Sequence, residues 1–127
     1  IDLHVEVAPV SFDEMEGPRE GDRSAAVRSR VEQARRVQDD RYGERASVHC
    51  NAQMDSRLVE SHCTIDKSGR TLLKAAIERL GLSARAYTRI LKVARTIADL
   101  DAEETIAASH VSEAVQYRSL DRDWWHG

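Results

Sequence analysis

A chain of 127 residues with a net charge of −3 has room for one modest core and no general affinity for nucleic acid, although local arginine-rich faces remain open to it. Aromatic residues make up 5% of the sequence and charged residues 32%, so the core must come from Leu, Val, Ile and Ala, a composition that favours helices. Two cysteines, no signal peptide and no long apolar run point to a soluble protein of the reducing cytoplasm with no membrane partner.

The sequence begins at Ile1 rather than Met, with IDLHVEV already alternating: Ile1, Leu3, Val5 and Val7 on one side, Asp2, His4 and Glu6 on the other. A lone strand is not stable by itself, and no good second strand follows. The expectation is an N-terminal extended segment left over from the sheet of a longer polypeptide. Residues 8–22 read as a connector broken by Pro9, Gly17, Pro18 and Gly21, with a capping-box pattern at 11–14 able to start one short helical turn.

A helix is expected from Ser24, as its cap, to Tyr42, with Gly43 as its stop. Val27, Val31, Ala34 and Gln38 line one face. Arg28, Arg35, Arg36 and Arg41 decorate the rest, blunted by Glu32, Asp39 and Asp40, which favours a solvated, salt-bridged surface over a nucleic-acid one. Residues 44–54 read as a loop. Asp55 or Ser56 then caps a short helix carrying Leu58, Val59 and His62. Asp66 caps the next, which runs through Leu72, Leu73, Ala76, Ile77 and Leu80 until Gly81 ends it.

Residues 82–100, LSARAYTRILKVARTIADL, form the stretch around which the chain is organised. Ser83 caps its first turn, and Tyr87, Ile90, Leu91, Ala94, Ile97 and Ala98 recur at helical spacing as one apolar stripe. That stripe is expected to be buried against Leu72, Leu73, Ala76, Ile77, Val111 and Val115, leaving Arg85, Arg89, Lys92 and Arg95 pointing elsewhere. After a turn at 101–104, a final helix begins near Ser109 and places Val111, Ala114, Val115 and Arg118 along it. Residues 119–127, with Trp124 and Trp125, read as a tail.

Arg85 stands out because it sits in a first turn, where the helix dipole disfavours a cation. A solvated arginine is the commoner explanation. A phosphate partner is the sharper one, since the guanidinium fork fits its oxygens. Two other groupings are discounted. His49, Cys50, His62 and Cys63 offer zinc-ligand chemistry, but adjacent ligands strain a tetrahedral site and no Cys-x2-Cys or His-x3-His unit is present, so no metal ligands are assigned. His4, Asp101 and His110 form no recognisable proton relay because no nucleophile accompanies them. Neither Gly-x4-Gly-Lys-Ser/Thr nor Gly-x-Gly-x-x-Gly occurs, so no phosphate-cradling loop is contained in these residues.

IDLHVEV at the start, NAQM at 51–54, LLKAAIERLGLSARAYTRILKVARTIADLD at 72–101 and HVSEAVQYRSLDR at 110–122 together resemble the carboxy-terminal domain of magnesium chelatase-like AAA+ ATPases of the competence-associated ComM/YifB type. The resemblance implies an all-α fold, a small helical bundle of the AAA+ lid kind. Residues 1–23 would be the end of the ATPase core strand and a connector, residues 24–118 the lid, and residues 119–127 a tail. It further implies that Arg85 is the sensor 2 arginine, counted as catalytic, that Ser83, Arg85 and Arg89 serve the nucleotide, and that ATP and Mg2+ are cofactors of the full-length parent. The isolated chain is expected to bind no cofactor, to have no activity of its own and to be monomeric. In the parent, the implied partners are its own upstream ATPase core, neighbouring subunits of a homo-oligomeric ring, a hexamer, and DNA as substrate. Two alternatives stay open: the same lid in the ATPase subunit of magnesium chelatase in chlorophyll synthesis, or a free-standing helical DNA-binding or interaction module over residues 55–80 with Lys67, Arg70, Lys74 and Arg79 as its basic face.

Overall fold

The structure, a computed structural model, describes Leu3, residues 23–43 and residues 47–126, with side chains through Arg118. The expected strand at 1–7 (apart from Leu3), the helical turn at 11–14 and the side chains of Trp124 and Trp125 lie outside what is described. Five α-helices make up the described part: α1 (Ser24–Tyr42), α2 (Ser56–His62), α3 (Lys67–Leu80), α4 (Ala84–Leu100) and α5 (Ala108–His126), with one 3-10 turn at Asn51–Gln53 inside the expected loop. The only β pairing among these residues is an isolated bridge between Ile65 and Ile106. A helical bundle is therefore what the chain forms. Helix α5 runs on to His126, past the point at which the sequence reading turned it into a tail.

Local chemistry sets the helix ends. The Asp55 carboxylate accepts from Leu58 N–H at 2.9 Å, Asp66 from Gly69 N–H at 2.7 Å, and the Ser83 hydroxyl from Ala86 N–H at 3.2 Å, so α2, α3 and α4 each satisfy a first-turn donor that would otherwise be orphaned. Gly81 ends α3 in the left-handed region, φ 62°, which residues with a Cβ avoid. The start of α1 departs from expectation: Arg23 is its N-cap, with no side-chain bond, and Ser24 is already helical.

Ala102, just past α4, adopts φ 58° without being glycine, while the turn it makes returns its N–H to Asp99 O and that of Glu103 to Ala98 O. A left-handed alanine costs about 1 kcal/mol that a glycine avoids. Ala102→Gly should therefore stabilise the chain by a few tenths to about 1 kcal/mol after the extra unfolded-state entropy of glycine is subtracted. Urea unfolding checks this; a less stable variant would mean that the turn holds no strain.

Helix α5 packs across both α3 and α4, and α4 also touches α1, α2 and the 3-10 turn, so α4 is the spine of the bundle. Its Ala94 and Ala98, both 0% exposed, and Ala114 of α5 let backbones come close, while Leu73, Ile90, Leu91 and Val111 fill the space between. Ile97, Leu72 and Ile77 are half-buried at the margin of this core. One expected core contribution fails, and one apolar face is only half used. Tyr87 is 43% exposed because it sits on the core face of α4 but at the end of the bundle, and Val27 and Val31 remain exposed because only the C-terminal half of α1, at Ala34, Gln38 and Tyr42, reaches the other helices.

Candidate functional site

The two ends of α4 have opposite characters. At its start, Arg85 is exposed in the capped first turn, with no hydrogen bond or ion pair to any described residue, and Ser83 is committed to the cap. Arg89 lies one turn later, half-buried, on the same flank. Further along this flank, Lys92 Nζ donates to Ala52 O at 3.1 Å and Thr96 meets Asn51. The 3-10 turn and α1 thus cover the flank over the second half of α4, while among the described residues nothing bonds Arg85 in its first turn. Of the three residues that the resemblance assigns to nucleotide, Arg85 is exposed, Arg89 is half-buried on the same flank, and Ser83 holds the helix that carries them.

The far end is a closed polar cluster built on Asp99, whose side chain is 0% exposed. Arg41 lays its guanidinium across it, Nη1 to Oδ2 at 2.9 Å and Nη2 to Oδ1 at 2.7 Å, a bidentate pair. Asn51 donates from Nδ2 to Asp99 Oδ2 at 2.9 Å and to Thr96 Oγ1 at 3.0 Å, while its Oδ1 accepts from Arg41 Nη1 at 3.0 Å and from the Tyr42 hydroxyl. Gln38 Oε1 completes it by accepting from Asn51 N–H at 2.9 Å. The hydrogen bond to Asp99 raises the Arg41 pKa further above its already high ordinary value, and desolvation pushes that of Tyr42 up, so the cation and the neutral phenol are both held.

Arg95, expected to point away from the core, is instead 4% exposed. Its Nη atoms donate to Glu104 O and Glu103 O, each at 2.8 Å, and to His62 O at 3.4 Å, and its Nε lies 3.2 Å from Asp99 Oδ1. It ties α4 to the end of α2 and to the 101–107 turn, so it is structural. Arg41 likewise belongs to the interior rather than to the decorated face of α1. Sequence reasoning missed Asp99, Asn51, Gln38 and Tyr42 as members of this cluster. The i, i+4 spacing of Arg95 and Asp99 was the one local signal for it, and such spacing ordinarily reads as a surface pair.

Among the described residues no group of three or more His, Cys, Asp or Glu side chains converges as a metal site. Cys63 is buried, and desolvation raises its thiol to about 11, which keeps it protonated and a poor ligand at neutral pH. His110 and Asp101 do meet, Nε2 to Oδ2 at 2.9 Å, at the α4–α5 junction. No helix among the described residues is long and apolar enough to cross a membrane.

A capped α4 spine, locked at one end by Asp99 and bare at the other, is set in a helical bundle that matches a known family over most of its length. The chain belongs to the family described as magnesium chelatase, subunit ChlI C-terminal, whose model matches residues 21–118. Within it the chain is of the ComM/YifB type. It is 42% identical over 102 residues to the Competence protein ComM of Haemophilus influenzae, 41% to the Uncharacterized protein YifB of Escherichia coli and 38% to the Uncharacterized protein YifB of Salmonella typhimurium. Each match covers 80% of this chain and 19% of the relative, so the chain spans about a fifth of the length of the curated relatives it matches.

Proposed function

We propose that this domain is the nucleotide-sensing lid of a ring-forming AAA+ ATPase, with Arg85 as its sensor 2 arginine and Arg89 beside it. The observation that carries the reading is the state of Arg85: a cation in a capped first turn, exposed and without a partner among the described residues. The helix dipole makes that position unfavourable while the site is empty and favourable once triphosphate charge arrives in front of it. Closure of the lid is then driven by nucleotide charge, and loss of the γ-phosphate releases it. As charge grows on the γ-phosphate during bond cleavage, the guanidinium stabilises it.

The build of α4 suits the task of passing this event on. Seventeen residues of unbroken helix span about 25 Å, and the Asp99 cluster fastens the far half to α1 and to the 3-10 turn. A displacement at Arg85 therefore moves the bundle as a body. ATP and Mg2+ belong, in this reading, to the full-length parent, whose upstream core supplies the phosphate cradle and the metal ligands. Neighbouring subunits receive the lid motion, and DNA is the substrate on which the motor acts, in keeping with a relative that carries competence in its name. ATP turnover and ATP affinity of the full-length parent bearing Arg85→Ala test the reading: a selective loss of turnover supports it, and unchanged turnover removes it.

A further inference from the structure

The α4–α5 junction carries a histidine whose two ring nitrogens have different and fixed duties. Ala107 is the N-cap of α5, since its carbonyl accepts from the N–H groups of His110 and Val111. The His110 side chain reaches back, and its Nδ1 accepts the Ala107 N–H at 2.9 Å. This is the reciprocal half of a capping box, with an imidazole in the place usually taken by Glu or Gln. An Nδ1 that accepts carries no proton, so the ring proton is on Nε2 and is donated to Asp101 Oδ2 at 2.9 Å.

We infer that His110 is a proton-operated clamp: as the neutral Nε2–H tautomer it joins the end of α4 to the start of α5, and protonation at Nδ1 opens the cap. A second ring proton has only Nδ1 to occupy, where it would face the Ala107 N–H, donor against donor. It would also set a cation in the first turn of α5, against the helix dipole. Asp101 is the one group in contact that favours the charged ring, but its side chain is 47% exposed and its attraction is screened by water, whereas the His110 side chain is 5% exposed. Charged groups on the elements packed around the junction include Arg95 of α4, with its guanidinium on the carbonyls of Glu103 and Glu104, the buried Asp99 beside it, the exposed Glu103 and Glu104 themselves, Asp66, Lys67, Arg70 and Lys74 of the start and first half of α3, and Glu113 one turn along α5. The folded chain therefore holds the neutral ring, and a second ring proton works against the cap.

Two measurements on the whole 127-residue chain decide this. Nitrogen-15 NMR of the histidine rings at pH 7.5 should give His110 as the Nε2–H tautomer, and the Ala107 amide should move together with that ring on acidification. Thermal unfolding at pH 8 and pH 5.5 should show the native chain losing about 4 to 8 °C more than His110→Gln, whose amide oxygen accepts from Ala107 at either pH. A ring protonated on Nδ1 at pH 7.5 overturns the inference, and so do parallel losses in the two chains. Should His110→Gln fail to fold, the tautomer and the Ala107 titration decide by themselves.

Discussion

Replacing Asp99 by alanine should destabilise the chain by about 3 to 5 kcal/mol, a large share of the roughly 5 to 15 kcal/mol that holds a domain of this size folded. The size follows from what the substitution leaves behind. Arg41 and Arg95 would keep their charges with side chains 11% and 5% exposed, and Asn51 would lose an acceptor for its amide, so the loss is that of uncompensated buried charge rather than of one ion pair. The comparison that decides between effects is Arg28 with Glu32 on α1, whose side chains are 81% and 58% exposed. Breaking that pair should cost a few tenths of a kcal/mol at most. Urea unfolding of the 127-residue chain with each substitution measures both. A loss below about 1 kcal/mol for Asp99→Ala would mean that the cluster is hydrated and holds nothing together.

This result bears on how far the sequence could be read. Caps are local, so Asp66, Ser83 and Gly81 could be assigned from residues within one turn of them and the α2 cap narrowed to Asp55 or Ser56, of which the structure uses Asp55, whereas Ser24 lost the α1 cap to Arg23. The apolar stripe of α4 was legible for the same reason, because helical spacing fixes which side chains share a face. Spacing does not say where the facing helices stop, and Tyr87, Val27 and Val31 fall beyond that limit. The Asp99 cluster was the least legible part. Its members lie 48 and 58 residues from Asp99, at Asn51 and Arg41, and nothing near any of them marks it as interior. Arg95 illustrates the error most directly: read as pointing away from the apolar stripe, it is instead a clamp on three carbonyls, so its replacement would be expected to disturb folding before it disturbed any chemistry. Of the candidate site, the sequence offered the capped first turn and its misplaced cation.

The second large effect concerns that cation. In the full-length parent, Arg85→Ala should lower ATP turnover by between about 10- and 10³-fold while ATP affinity changes much less. The upper bound comes from arginines that stabilise phosphoryl transfer directly, which are worth about 10³ or more; a lid arginine spends part of its interaction on closure and should fall below that. The split between turnover and affinity follows from the proposed role, in which the guanidinium meets charge that grows as the bond breaks and so binds the transition state better than the ground state. Arg85→Lys should rescue poorly, since a point charge lacks the two-pronged contact. The structure also dictates the control. Arg95 is unsuitable because it is buried in the fold, whereas Arg36 on α1 is exposed and α1 packs at the opposite end of α4.

The central claim is that the bare start of α4 presents Arg85 to nucleotide charge. Steady-state ATP turnover of the full-length parent, with nucleotide binding measured separately for Arg85→Ala and Arg36→Ala, tests it most directly. The account predicts a turnover loss of at least about 10-fold for Arg85→Ala, little change in its affinity and near-native behaviour for Arg36→Ala. Equal effects of the two substitutions, or native turnover without Arg85, would contradict it.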